Sequence, residues 1–388
     1  MVNYDLILFG IFAFLLVIFY FRNKKKIEFQ GIVALYKTKL GLALSKKIVR
    51  KREKLFIVLG YIGIVLGFIG MAFIFYTLAS GSVNVFIKPE AAPVVAPVLP
   101  FVKIPGLPPL LFTYWIISIF IVAVIHEFSH ALLSVAHKIK VKSSGFAFFG
   151  PIPAAFVEPD EKQLAKKSRA AQLSVFAAGP FSNIITGILF FLIFAFLIAP
   201  YVASMGNVNF EIADVVNGSP AFLSGLQKGQ TIESMNGLDA SPKNVSSVLA
   251  SLEPNDILEI KSGGKTYTLK TDKNPQNQSK GFIGISIDAK LEPKRETSKA
   301  YFSFMMWLRQ LFFWLFALSL GIGLFNLLPL GPIDGGRMLL VGLGSFMKDE
   351  KRAKKIFSFV SFVSLLLILI NLAPWFAKAF GSIGRAIG

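Results

Sequence analysis

Two histidines and a glutamate, in the run His126-Glu127-Phe128-Ser129-His130, fall inside a long apolar stretch from Leu111 to Ala136. On an α-helix, residues four apart are turned by about 40° and separated by about 6 Å along the axis, so two imidazoles at this spacing can grip one Zn²⁺ from a single face. Glu127 sits beside them, placed to take a proton from a water held by the metal. In a soluble chain the HExxH pattern alone is a moderate signal. At bilayer depth each charged group costs roughly 2.5–3.5 kcal/mol on insertion scales, and retention against that cost argues for a metal site over a structural accident.

The remaining ligands are narrowly bounded. Cysteine is absent, which excludes disulfides and thiolate ligands and leaves nitrogen and oxygen for any transition metal. Only three histidines exist, and the third, His137, lies about 10 Å beyond His130 along the helix axis, too far to share one ion. It reads as an interfacial histidine beside Lys138. In the second half, Asn326-Leu327-Leu328-Pro329 and Pro332-Ile333-Asp334-Gly335-Gly336-Arg337 put a carboxylate at the end of another apolar run. Two imidazoles, this carboxylate and an open position would make a catalytic zinc site. As a bland alternative, Pro-Ile-Asp-Gly-Gly is a turn after a span, which its glycines explain equally well. Glu158, Asp160 and Glu161 read as a solvated acidic cluster rather than a second metal site.

The elements that must position these groups are membrane spans. Of the 388 residues 54% are hydrophobic, and six apolar runs have spanning length: about Tyr4–Phe21, Leu55–Ala79, Leu111–Ala136, Gln172–Pro200, Phe302–Leu328 and Ile356–Trp375. The first starts with Asp5 and precedes the densest basic block, so it reads as a retained anchor rather than a cleaved signal. The net charge of +19 is concentrated between the runs: Arg22–Lys54 holds 12 Lys/Arg against two acids, Lys138–Arg169 seven against three, and Arg337–Lys355 six against two. Such clusters mark cytoplasmic loops under the positive-inside rule. No stacking aromatics or binding module accompany them, which argues against nucleic acid. This orientation puts the histidines near the cytoplasmic end of the third span.

Three further segments complete the plan. Ile27–Ile48 is expected on the inner membrane surface or as a plain solvated basic loop, and the Pro- and Val-rich Lys88–Pro109 as an extended external linker. Gly145–Pro159 is apolar and aromatic but too short to span, and is predicted to be a re-entrant hairpin. Residues 206–299, with 11 basic and 11 acidic side chains and short alternating runs, read as an α+β soluble domain outside. Strands are predicted at Phe210–Val216, Thr231–Met235, Ile257–Lys261, Thr266–Lys270 and Phe282–Ile287, with short helices at Ser219–Ser224 and Lys243–Leu252.

HEFSH, NLLPLGPIDGGR and Gly179-Pro180-Phe181-Ser182-Asn183 in the fourth span together resemble the site-2 protease family of intramembrane zinc metalloproteases, over about residues 111–375. The resemblance implies that His126, His130 and Asp334 are zinc ligands and Glu127 the general base, with Asn183 and Asn326 near the substrate. Read as residues alone, each asparagine serves equally well as an interhelical bond. The soluble domain resembles a circularly permuted bacterial PDZ module through Asn217–Ala221, Gly225–Gly229 and Ser234–Gly237. Gly281-Phe282-Ile283-Gly284 is similar to its carboxylate-binding loop, which implies capture of peptide C-termini, although a passive spacer or size filter fits equally.

The chain is thus expected to be a polytopic α-helical membrane protein with an inserted PDZ-like domain. Its divisions are 1–110 (two N-terminal spans), 111–205 (first half of the catalytic core), 206–299, and 300–388 (second half and C-terminal helix). The expected activity is zinc-dependent cleavage of peptide bonds in or beside transmembrane segments of membrane protein substrates, as in regulated intramembrane proteolysis, in a prokaryotic cell membrane. A metal transporter should show more polar ligands along its spans than are present. A non-catalytic scaffold would have no use for Glu127 and Asp334.

Overall fold

The computed structural model describes residues 4–387 apart from 32, 88–93, 103, 105, 151 and 276, and side chains as far as 377. The start of the expected linker and Pro151 of the expected hairpin fall outside the described residues. Two compact units are formed, residues 1–194 with 310–388, and residues 195–309.

In the first unit α1 (Tyr4–Asn23) leads through β1 (Ile27–Gln30) and β2 (Val33–Thr38) to the long α2 (Leu42–Ile87), which is kinked at Arg52. Then follow α3 (Phe112–Ala136), β3 (Val141–Phe149), β4 (Ile152–Pro159), α4 (Glu161–Ala165) and α5 (Arg169–Ile193). A π-helical turn (Phe194–Ile198) leads from α5 to α6 (Ala199–Ser204), which belongs to the second unit. Six helices among the described residues are long and apolar enough to cross a membrane: those carrying the six expected runs.

Why these segments pack is legible in their small residues. Gly60, Gly63, Gly67 and Gly70 recur on one face of α2, and a Cβ added there would meet Ser174, Phe181, Met338 and Leu327 respectively. Glycine at these points lets helix backbones approach closely, where van der Waals packing replaces the hydrophobic effect. The facing stretch of α5, Ser174 to Gly179, is mostly small and largely buried. Asp5, buried near the start of α1, accepts hydrogen bonds from the N–H groups of Phe112 and Thr113. It satisfies the otherwise orphaned donors of the first turn of α3, from a different helix.

Within the Ile27–Ile48 segment, residues 27–30 and 33–38 form strands. They pair with the hairpin to give a four-stranded antiparallel sheet, β1-β2-β3-β4. Ile27, Phe29, Val33, Tyr36 and Thr38 are β-favouring residues, and Lys37 is the one lysine among them. The expected hairpin at 145–159 forms, and β4 is an edge strand of this sheet. The described part of the linker is non-helical and is tied to the helices by tryptophans: Trp115, Trp375 and Trp314 donate to the carbonyls of Val98, Val95 and Pro109.

The second unit holds β5 (Gly206–Val215), α7 (Pro220–Leu223), β6 (Thr231–Met235), β7 (Leu238–Asp239), α8 (Pro242–Ser251), β8 (Ile257–Ser262), β9 (Lys265–Lys270), β10 (Asp272–Lys273), β11 (Gly281–Phe282) and β12 (Ile285–Pro293). Its main sheet runs β12-β5-β6-β8-β9. Ile212, Met235, Leu258 and Ile260 are among its fully buried core residues. The Gly263-Gly264 turn has both φ angles positive, as a tight hairpin demands. Then α9 (Lys299–Asn326) runs into the first unit, which α10 (Asp334–Phe346) and α11 (Glu350–Ile387) complete.

Candidate metal centre

The buried face of α3 runs Ser118, Val122, His126, His130 at four-residue intervals, and so delivers both imidazoles toward α5 and α10. Asp334 is the first residue of α10. Gly335 and Gly336 lie so close to the backbone of Leu327, Leu330 and Gly331 that a Cβ on either would collide with it, so the glycine pair lets the helix start tuck under the preceding turn. A carboxylate on the first turn also faces the positive end of the helix dipole.

These three residues meet. His126 Nε2 lies 3.0 Å from Asp334 Oδ2 and 3.1 Å from His130 Nε2, and His130 Nε2 lies 3.3 Å from the same carboxylate oxygen. Tetrahedral ligands at bond lengths of about 2.0–2.1 Å stand about 3.3 Å apart, so the triangle has the dimensions of one face of a zinc site. A Cβ built on Gly179 of α5 would fall against both Nε2 atoms, so the absence of a side chain there keeps the ligand face open. Among the described residues this is the one group of three or more His, Asp or Glu side chains able to hold a metal.

The other ring nitrogens are also engaged. His130 Nδ1 lies 2.8 Å from the Val175 carbonyl, an acceptor only, so Nδ1 carries the proton and Nε2 keeps its lone pair. His126 Nδ1 lies 3.0 Å from the Asn183 amide, which is fully buried. The amide nitrogen Nδ2 is the atom placed there; a metal on Nε2 requires a proton on Nδ1, and exchanging the amide's N and O, an assignment made from such networks, would let Oδ1 accept it. Asn183 Oδ1 otherwise has no partner among the described residues. Of the two roles expected of Asn183, substrate contact and an interhelical bond, its geometry is that of the second: it is enclosed between helices and reaches His126.

Glu127 Oε2 accepts a 2.8 Å hydrogen bond from the Val157 N–H of β4. Glu127 lines a cavity of about 280 Å³ together with both histidines, Asp334, Asn326 and Val157. Asn326 bonds its own helix at the Ile322 carbonyl, and stays on the cavity wall. His137 is apart from this group, 3.0 Å from Ser174 Oγ; burial, with Lys167 nearby, pushes its imidazole below the usual value. Of the acidic cluster, Glu158 accepts from Ser143, Asp160 caps α4, and Glu161 stands 3.8 Å from Arg337.

In the second unit Gly281 gives its N–H to the Leu252 carbonyl, Ile283 is buried in the core, and Gly284 has φ +77° with its Cα against Ser219. The Val157 and Val175 backbone contacts carry no side-chain signature, so sequence reasoning missed them.

Residues 114–370 match the model of Peptidase family M50. Over 318 residues the chain is 29% identical to an uncharacterised protein of Methanocaldococcus jannaschii, covering 79% of this chain and 76% of that one. Over 61 residues it is 44% identical to the zinc metalloprotease RasP of Oceanobacillus iheyensis, covering 15% of this chain and 14% of that one.

Proposed function

This chain belongs to Peptidase family M50, and from that premise we propose that it is an intramembrane zinc endopeptidase that cuts membrane protein substrates in or beside their transmembrane helices. The observation that carries the reading is the 3.0–3.3 Å ligand triangle of His126, His130 and Asp334 over Gly179. Zinc, when bound, supplies Lewis acidity toward the scissile carbonyl and makes water a better nucleophile at neutral pH. Glu127 takes a proton from the attacking water and returns it to the leaving amide nitrogen as the C–N bond breaks. Asn183 and the Val175 carbonyl hold the two imidazoles in the required tautomer. Asn326 faces the substrate from the cavity wall.

A helical substrate hides its backbone and must unwind locally. The edge of β4 is where it would pair. Residues 152, 154 and 156 face β3, as the Phe149–Ile152 hairpin pairing and the outward Val157 N–H require, so 153, 155, 157 and 159 face outward. Of these, Pro153 and Pro159 have no N–H and Val157 gives its own to Glu127. Ala155 is left as the outward donor, flanked by the carbonyls of 153 and 157. Such an edge resists indiscriminate sheet extension yet admits a strand in one register.

The 206–299 segment acts in this reading as a separate PDZ-like domain. Its strand β12 lies at the sheet edge after the Gly281–Gly284 loop, where a peptide C-terminus would add. With the basic loops inside, the zinc site lies near the cytoplasmic face of a prokaryotic membrane and this domain outside. The test is cleavage of a membrane-tethered substrate with and without a chelator, read beside metal content. About one zinc per chain, lost in His126→Ala, and chelator-sensitive cleavage, lost in Glu127→Gln with zinc retained, are the expected results. A metal-free protein would overturn the reading.

A further inference from the structure

A second cavity, of about 210 Å³, adjoins the catalytic one and shares Glu127, Phe156 and Val157 with it. Its own walls are Val124 and Phe128 of α3 and Phe146 and Ala155 of the sheet. Apart from the shared Glu127, its polar lining residues are Thr38 and Ser144, whose hydroxyls donate to the carbonyls of Ser144 and Leu40; the rest is apolar. Phe120 and Val124, which also line it, are 50% and 40% exposed on the helix surface, so it opens sideways from α3. At this size it is smaller than the roughly 300–1,000 Å³ of pockets that hold whole small molecules, and is on the scale of one large side chain.

We infer that this cavity is a specificity pocket for a large apolar side chain of the substrate, within two residues of the scissile bond. The inference rests on the protease reading above and identifies what that site selects. Cross-strand neighbours share a face of a sheet, so a strand added to β4 places the side chain of the residue opposite Ala155 on the same side as Ala155 and its neighbour Phe146. That side is the pocket. The shared Glu127 ties it to the reacting carbonyl: a residue opposite Val157 finds that N–H already given to Glu127, so its carbonyl is free for the chemistry. A residue between the two points its side chain to the opposite face. Selection should therefore fall on alternate positions. An apolar residue fits a transmembrane substrate, and its burial compensates part of the cost of unwinding the helix.

The test uses the full chain in lipid nanodiscs and a membrane-tethered substrate helix whose residues around the mapped cleavage site are changed singly to Phe, Leu or Ala. At one position within two residues of the cut, Phe or Leu should be preferred over Ala by tenfold or more, in the range one pocket can supply. Ala155→Leu, which fills the cavity from the sheet, and Val124→Phe, which fills it from α3, should each reduce this preference to threefold or less, while Phe128→Ala should improve Trp. Zinc content, measured on every variant, should not change. Affinity of the same helices for Glu127→Gln protein should show the same preference, so the pocket is judged by binding even if no cleavage is seen. Unaltered selectivity in both filled variants overturns the inference, as does loss of a co-purifying acyl lipid with selectivity unchanged. An absence of zinc and of cleavage in the native protein instead strikes the protease reading itself.

Discussion

Glu127 Oε2 and the Val157 N–H stand 2.8 Å apart, joining the HExxH helix to the edge strand of the sheet. One carboxylate oxygen is thereby anchored and the other left to work. The bond uses a backbone donor that faces away from β3, so removing it leaves the β3–β4 ladder intact. Val157→Pro should therefore lower kcat tenfold or more with zinc retained, while Val157→Ala stays close to native. Ala155→Pro, which removes the outward donor proposed to hold substrate, should act chiefly on KM. Equal effects of both prolines on KM alone would mean that the N–H of Val157 does not position the base.

Gly179 offers a test of the metal centre that touches no ligand. A Cβ there would press on both imidazole Nε2 atoms. Alanine raises helix propensity by about 1 kcal/mol over glycine, so helix formation is not at risk. Gly179→Ala should nevertheless lose most of its zinc, read by elemental analysis of folded protein. Full zinc occupancy would place the ion away from these nitrogens.

How much of this was legible in the sequence varies with the kind of interaction. His126, Glu127, His130 and Asp334 announce themselves because ionisable groups at bilayer depth are costly and their spacing matches a helix. The β3–β4 hairpin was legible from Pro151, Pro153 and the shortness of an apolar segment that cannot span. The pairing of Ile27–Thr38 with that hairpin was not, since it joins segments separated by more than 100 residues. Asn183 was recognised as a polar residue in a span but not for its partner, because which helix faces which is set by small-residue contacts such as Gly60 with Ser174. Asp5 likewise carried no hint that it closes the first turn of α3.

Asn183 distinguishes a positioning role from a merely packed one. If its amide oxygen accepts the His126 Nδ1 proton, Asn183→Asp keeps an acceptor and should retain zinc. Asn183→Leu removes the acceptor at similar volume and should weaken zinc binding 10- to 100-fold, the usual cost of losing such a partner. A chelator competition titration reads both. Identical affinities for Asp and Leu variants would show that the asparagine only fills space.

The proposed orientation can be read with single cysteines, since the native chain has none. Ser45, in the densest basic stretch, is 1% exposed and unsuitable. Lys166 and Ser345 are exposed within the second and third basic stretches, and Ser247 is exposed on α8 of the second unit. Each Lys or Arg near the inner surface contributes about 1 kcal/mol of attraction to anionic lipid, so the summed bias should leave one orientation dominant. Cysteine at Lys166 or Ser345 should be shielded from an impermeant thiol reagent in intact cells and react after lysis, while cysteine at Ser247 should react in both. Labelling at Ser345 but not Ser247 in intact cells would invert the topology and move the zinc site to the outer face.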